Sequence, residues 1–314
     1  MSNTRQILTK LITNIENVIV GKRIAIELAL VALICRGHLL IEDVPGLGKT
    51  MMARALAASL AMDFKRIQFT PDLLPSDVTG VSIYNQKTGE FVFKQGPVFT
   101  NILLADEINR ATPRTQSAML ECMGEYQVTA DGVTYALPDV FMVIATQNPI
   151  DLQGTYPLPE AQLDRFFMRI PMDYPSPEEE IQVMTMQAKE HPIDHLQPVL
   201  SRHDVIEMIA AVKNVHVDHS VMRYIAEIVG ATRRHEDLRL GASPRGSLAL
   251  MRAAQAMALV RGMDFVDPPL VKRVALPVLA HRILLKPTAQ LAGKTPTALI
   301  DEVLDRLTVP VKAA

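Results

Sequence analysis

Short apolar runs alternate with amphipathic stretches over about the first 170 residues of the chain. The runs occupy residues 38–42 (HLLIE), 64–69 (FKRIQF), 102–106 (ILLAD), 140–146 (VFMVIAT) and 166–170 (FFMRI). Several are apolar almost throughout, the pattern of strands covered on both faces rather than one. Strands of that kind separated by helical stretches predict an α/β fold with a parallel, five-stranded sheet between helices. After Tyr174 the pattern changes. Ser176-Pro177-Glu178-Glu179-Glu180 combines a capping serine, a first-turn proline and acids at the positive end of the helix dipole. Helical periodicity then runs to the C-terminus with hardly any strand signal. The boundary falls in residues 191–198, which carry two prolines. The chain therefore divides into an α/β core, residues 1–192, and a smaller all-helical domain, residues 193–314.

Two insertions interrupt the core. Residues 81–93 (VSIYNQKTGEFVF) alternate around Lys87-Thr88-Gly89, a hairpin signal. Residues 126–137 (YQVTADGVTYAL) place Asp131-Gly132 between two β-rich arms, a strong short-range sign of a tight hairpin.

Composition narrows the class. With 314 residues, 48% of them hydrophobic, the chain can bury a large core across two domains. A formal charge of −2 offers no bulk attraction to nucleic acid or to an acidic membrane. The two cysteines, Cys35 and Cys122, form neither a metal-ligand spacing nor a disulfide framework, which suits a reducing compartment. No apolar block resembles a signal peptide, and no charge-free run approaches the ~20 residues of a membrane span. The expectation is a soluble cytoplasmic protein without direct membrane insertion.

The chemistry concentrates at strand ends. Asp43-Val44-Pro45-Gly46-Leu47-Gly48-Lys49-Thr50 lies between a predicted strand and a predicted helix. Glycines there let the backbone wrap a phosphate, and the helix N-terminus adds positive potential. Lys49 is placed to reach the β- and γ-phosphates and the Thr50 hydroxyl to bind Mg²⁺, with Met51 following in the helix. Asp43 stands where the P-loop pattern has its first glycine. The run Ile102-Leu103-Leu104-Ala105 ends in Asp106-Glu107. In P-loop ATPases such an aspartate holds the metal. Asp106 takes that role, and Glu107 is placed to activate the attacking water. ATP and Mg²⁺ are the expected cofactors.

VPGLGKT (44–50), LLADEINRA (103–111), ATQNP (145–149) and YPLPEAQLDRF (156–166) together resemble an AAA+ ATPase, and within that class the MoxR family. Both hairpins fall where the helix-2-insert clade, which also holds the magnesium-chelatase ATPase subunit, carries its insertions. The resemblance implies an AAA+ P-loop core with an all-helical lid, and further site residues. Asn148 matches sensor 1, Arg165 the arginine finger that reaches a neighbouring subunit's ATP, and Arg245 sensor 2. Val20 and Gly21 match the adenine-pocket position. Arg245 also stands out on its own, since a cation in the first turn of a helix begun by Ser243-Pro244 opposes the dipole by up to about 1 kcal/mol. A nucleotide phosphate would offset it, and so would a local salt bridge.

The family likeness further implies a homo-oligomeric, hexameric ring that couples ATP hydrolysis to chaperone-like remodelling or maturation of protein complexes, including metal-cofactor insertion. The chain has no Asp-x-Ser-x-Ser motif, so a von Willebrand factor A-type partner would be a separate polypeptide. A nucleic-acid motor or loader and a magnesium-chelatase-type subunit are the rivals. The slight negative charge and the lack of an appended DNA-binding motif weigh against nucleic acid. The scattered histidines show no ligand spacing, and Arg233-Arg234-His235 reads as a solvated helix face.

Overall fold

Leu39, Leu40 and Ile41 expose none of their surface, as their run of three apolar side chains requires of a strand covered on both faces. They belong to a sheet in a computed structural model that describes residues 2–310 except Asp43, Pro45, 149–153 and Lys189. The core runs α1 (Ser2–Glu16), α2 (Arg23–Ile34), β1 (Leu39–Glu42), α3 (Lys49–Ser59), β2 (Phe64–Gln68), α4 (Pro75–Thr79), β3 (Gly80–Asn85) and β4 (Glu90–Gln95). It continues with β5 (Ile102–Asp106), α5 (Pro113–Glu125), β6 (Gln127–Ala130), β7 (Val133–Ala136), β8 (Met142–Gln147), α6 (Glu160–Leu163) and β9 (Met168–Ile170). Five strands pair in the order β2-β5-β8-β1-β9, every neighbouring pair parallel. All five predicted runs are the strands of this sheet.

Because side chains alternate across a strand, the same strands feed two cores. Leu39, Ile41, Ile102, Leu104 and Ile144 pack with α1, α2 and α3 on one face. Leu40, Leu103, Ala105, Val143 and Ala145 pack with Met119, Leu120 and Met123 of α5 on the other. β2 is an edge strand, and Lys65, Arg66 and Gln68 on it are exposed while Ile67 is buried. The parallel ends of β1, β8 and β5 stand side by side, so the segments that follow them converge at one rim of the sheet. In open α/β sheets, that rim is where ligands bind.

The rest of the chain is α7 (Pro177–Gln187), α8 (Arg202–Val212), α9 (His219–Arg234), β10 (Leu238–Leu240), α10 (Pro244–Val260), α11 (Pro268–Leu279), β11 (Leu284–Leu285), α12 (Pro287–Leu291) and α13 (Pro296–Arg306). Among the described residues its regular structure is helical except for the antiparallel ribbon β10–β11 and a bridge between His216 and Phe265. Strands of two or three residues carry no readable period, which is why the sequence pattern shows only helices there. The predicted helix start at Ser176 is a capping box, in which Ser176 Oγ accepts from Glu179 N and a Glu179 carboxylate oxygen accepts from Ser176 N. α2 is apolar nearly all round, with ten of its residues buried, and packs against α8 and α10 as well as β9. The apolar cluster on its side of the sheet therefore runs on into the helical region.

Both insertions are hairpins. β3 and β4 pair from Gly80–Gln95 to Asn85–Glu90. β6 and β7 join through Asp131 (φ +51°) and Gly132 (φ +77°), the two left-handed residues of a tight turn that matches strand twist. The hairpins touch, since Phe93 stacks on Tyr135 at 4.2 Å between ring centres. Tyr84, Phe91 and Val92 of the first hairpin lie open to solvent.

Candidate active site

β1 ends at Glu42 and α3 begins at Lys49, with Gly48 at the N-cap. Gly46 and Gly48 have φ of +90° and +84°, where a side chain is strained, so the loop needs glycine for conformation. Space is not the reason, because a Cβ on Gly46 would meet nothing within 4 Å. Lys49 and Thr50 form the first turn of α3, which holds no acid, and the positive end of the helix dipole there suits an anion. Asp43 and Pro45 lie outside the described residues.

A cavity of about 480 Å³ opens beside this loop. Val20, Leu47 and Met51 line it together with Gly46, Gly48 and Lys22, and α7 supplies the opposite wall through Glu180, Val183 and Met184. Its size and mixed lining suit a small organic ligand. Gly21 does not line the cavity but stands behind it. Its φ is +73°, and a Cβ there would fall 1.9 Å from a carboxylate oxygen of Glu179. The left-handed backbone at Gly21 favours glycine, and the Glu179 carboxylate of α7 lies against it.

The two acids at the end of β5 are held by a network that sequence reading missed. Thr146 Oγ1 on neighbouring β8 donates to Asp106 Oδ1 at 2.6 Å and accepts from Glu107 N at 2.9 Å. Thr146 is 1% exposed, so these bonds are fixed in the interior. Glu107 has φ of +56°, a conformation that costs a non-glycine residue about 1–3 kcal/mol. The Thr146 acceptor helps to hold it. Arg66 donates to Asp106 Oδ2 through Nε at 3.1 Å and Nη2 at 2.6 Å. Gln68 links the two acids, accepting from Arg66 and donating to Glu107 Oε2 at 2.9 Å. Arg110 reaches the same oxygen at 2.8 Å. The signal for Arg66 and Gln68 lay in FKRIQ, whose three polar positions mark a strand with an open side.

Asn148 directly follows β8, the strand between the P-loop strand and β5. Pro149 after it lies outside the described residues. Arg165 and Arg245 have separate partners elsewhere. Arg165 Nη1 donates to Leu120 O on α5 at 2.7 Å. Arg245 Nη1 lies 3.8 Å from Asp164 Oδ2, so the anion beside this first-turn cation is a neighbouring carboxylate. Neither arginine lines the cavity at the P-loop. Asp164 also borders a larger cavity of about 790 Å³ between α6, the β10–β11 ribbon and the start of α10. That space contains none of the P-loop residues.

Residues 38–168 match the family described as "ATPase family associated with various cellular activities (AAA)", and residues 230–303 match an AAA lid domain. The chain is 42% identical over 312 residues to chaperone MoxR1 of Mycobacterium tuberculosis, spanning 96% of this chain and 82% of that one. It belongs to the MoxR family of AAA+ ATPases. A further relative, the uncharacterized protein YeaC of Bacillus subtilis, is 54% identical over 306 residues, covering 98% of this chain and 96% of that one. The crystal structure of a candidate ATPase from Cytophaga hutchinsonii superposes with a TM-score of 0.92 at 41% identity, over 98% of this chain and 96% of that one. As an AAA+ ATPase with a lid, this MoxR-family chain binds ATP and hydrolyses it.

Proposed function

We propose that this MoxR-family chain is one subunit of a hexameric ring, in which ATP hydrolysis drives chaperone-like remodelling of a separate protein. The division of the site supports it. The cavity is lined by the P-loop and α7, whereas Arg165 is held at Leu120 O on α5 and Arg245 at Asp164, both outside that lining. A head-to-tail contact that carried one subunit's arginines to the next subunit's nucleotide would close into a ring. The similarity to a protein named as a chaperone supports remodelling as the output. Maturation of a protein complex, including insertion of a metal cofactor, is the proposed task, with a von Willebrand factor A-type protein as partner. A cytoplasmic setting is part of the proposal; among the described residues no helix is long and apolar enough to cross a membrane.

In this reading Lys49 neutralises the β- and γ-phosphates while the backbone at Gly46, Leu47 and Gly48 donates to them. Val20, Leu47 and Met51 hold the base, with Gly21 beside Val20 in the same link. Asp106 and Thr50 would hold Mg²⁺. A single carboxylate and a hydroxyl are the hard oxygen donors this ion takes when phosphates complete its shell. When bound, it supplies charge neutralisation on the transferring group. Arg66 is the half-exposed partner of Asp106, and so the one able to yield an oxygen, because Thr146 is buried. Glu107 accepts a proton from the attacking water, Asn148 orients that water, and Arg165 and Arg245 stabilise charge from the neighbouring subunit. The proposed division between core and lid lies at residues 192 and 193.

Glu107→Gln should bind ATP without turning it over, and so populate the assembled state. Light scattering with ATP should give six times the 34.7 kDa chain mass, and the assembled form should retain a von Willebrand factor A-type protein that ADP releases. A chain that stays monomeric with saturating ATP would contradict the ring.

A further inference from the structure

Arg165 sits in a short stretch that the lid grips on both sides. Arg282 follows α11 and its side chain is 5% exposed, yet its fork reaches acceptors before and after Arg165. Its Nε donates to Asp164 Oδ1 at 2.8 Å, Nη2 to Phe166 O at 2.7 Å and Nη1 to Phe167 O at 3.1 Å. The same guanidinium donates to Val278 O of its own helix, which fixes it to the lid. His281 adds a hydrogen bond from Nε2 to Phe166 O at 3.0 Å, and burial keeps that imidazole neutral by lowering its pKa well below the usual value. Asp164 is held by Arg282 through one oxygen and faces Arg245 with the other. One buried cation thus fixes the backbone just after Arg165 and the carboxylate just before it, which also faces Arg245.

We infer that Arg282 is the positioning residue for the finger, tying the Arg165 stretch to the lid so that lid movement at one nucleotide site resets the arginine offered to the next. A planar fork with five donors can bridge three core acceptors and a helix carbonyl at once, and an ammonium group cannot. The cost of losing it falls on geometry, since a misplacement of about 1 Å at a catalytic group can cost on the order of 10²-fold in rate. The inference rests on the reading of Arg165 as a finger that acts across subunits.

Arg282→Lys is the test. It should keep wild-type affinity for a fluorescent ATP analogue and lose on the order of 10²-fold in turnover. Its defect should belong with the finger. Mixed with Glu107→Gln it should regain activity, because interfaces form that pair an intact Glu107 with a well-placed Arg165. Mixed with Arg165→Ala it should regain none. Wild-type turnover by Arg282→Lys, or recovery with Arg165→Ala but not with Glu107→Gln, overturns the inference. Should circular dichroism show that Arg282→Lys does not fold, Asp164→Asn must show the same complementation pattern or the inference fails. The pair Glu107→Gln with Arg165→Ala is run beside them. Failure of that pair alone identifies the composite site as the false step, and the inference falls with it.

Discussion

His38 illustrates what a single side chain can reveal about the core that carries the site. It is 3% exposed, with Nε2 hydrogen-bonded to Met123 O and Nδ1 accepting from Val143 N. That pattern demands the neutral ring with its proton on Nε2. Burial lowers its pKa to about 4, against an ordinary value near 6.5. Since the folded state binds a proton less readily than the unfolded chain, the contribution is whole above about pH 6.5 and is lost as pH falls toward 4. His281 acts in the same direction. Melting temperature should therefore fall between pH 6.5 and 4, with His38 alone worth about 3 kcal/mol at the acid end. His38→Asn should start less stable and show a shallower decline over that window. An unchanged slope would show that His38 does not titrate this way. At the same scale, Gly46, Gly48, Lys49, Thr50, Asp106 and Glu107 stood out as candidates because phosphate and metal chemistry favours those residue types at strand ends. Thr146 was not. A threonine ending an apolar strand reads as strand filling until the strand beside it is known, and only the β5–β8 pairing brings it to both acids.

At the scale of elements, the sheet was readable because fully covered parallel strands leave near-continuous apolar runs, and helix starts because Ser176 and Ser243 announce them. The two N-caps then part company. Ser176 makes its capping box, while Ser243 makes no side-chain cap bond. The role of α7 as a wall of the nucleotide cavity was not readable, since it depends on where the chain returns after β9. Packing of α2 against the lid likewise came only with the structure. There, Glu27 at 2% exposure is held by Arg261 at 2.6 Å and Arg273 at 3.0 Å. The hairpins carry a prediction about output. The tip of the first is exposed and contributes no residue to the P-loop cavity lining, and a loop on a rigid scaffold is a common place for function. Replacing residues 85–90 with a short Gly-Ser link should leave ATPase activity near wild type and weaken client binding. Loss of nucleotide binding on that change would mean the tip supports the core.

For the whole molecule, the account makes the ring the catalytic unit. Arg165 and Arg245 lie outside the lining of the P-loop cavity, and Arg282 of the lid holds the stretch that carries Arg165. Family membership and the lid follow from the comparisons; the ring remains the claim that needs a direct measurement. Glu107→Gln and Arg165→Ala should each bind ATP and each turn over slowly, the second because a finger contributes ~10³–10⁵ in rate. Mixed in equal amounts under conditions where subunits exchange, roughly a quarter of the interfaces in a closed ring would pair an intact Glu107 with an intact Arg165. The account predicts that ATPase activity rises well above that of either variant, toward that fraction of wild type. A mixture as inactive as its parts, in rings shown by native mass spectrometry to contain both variants, would contradict it.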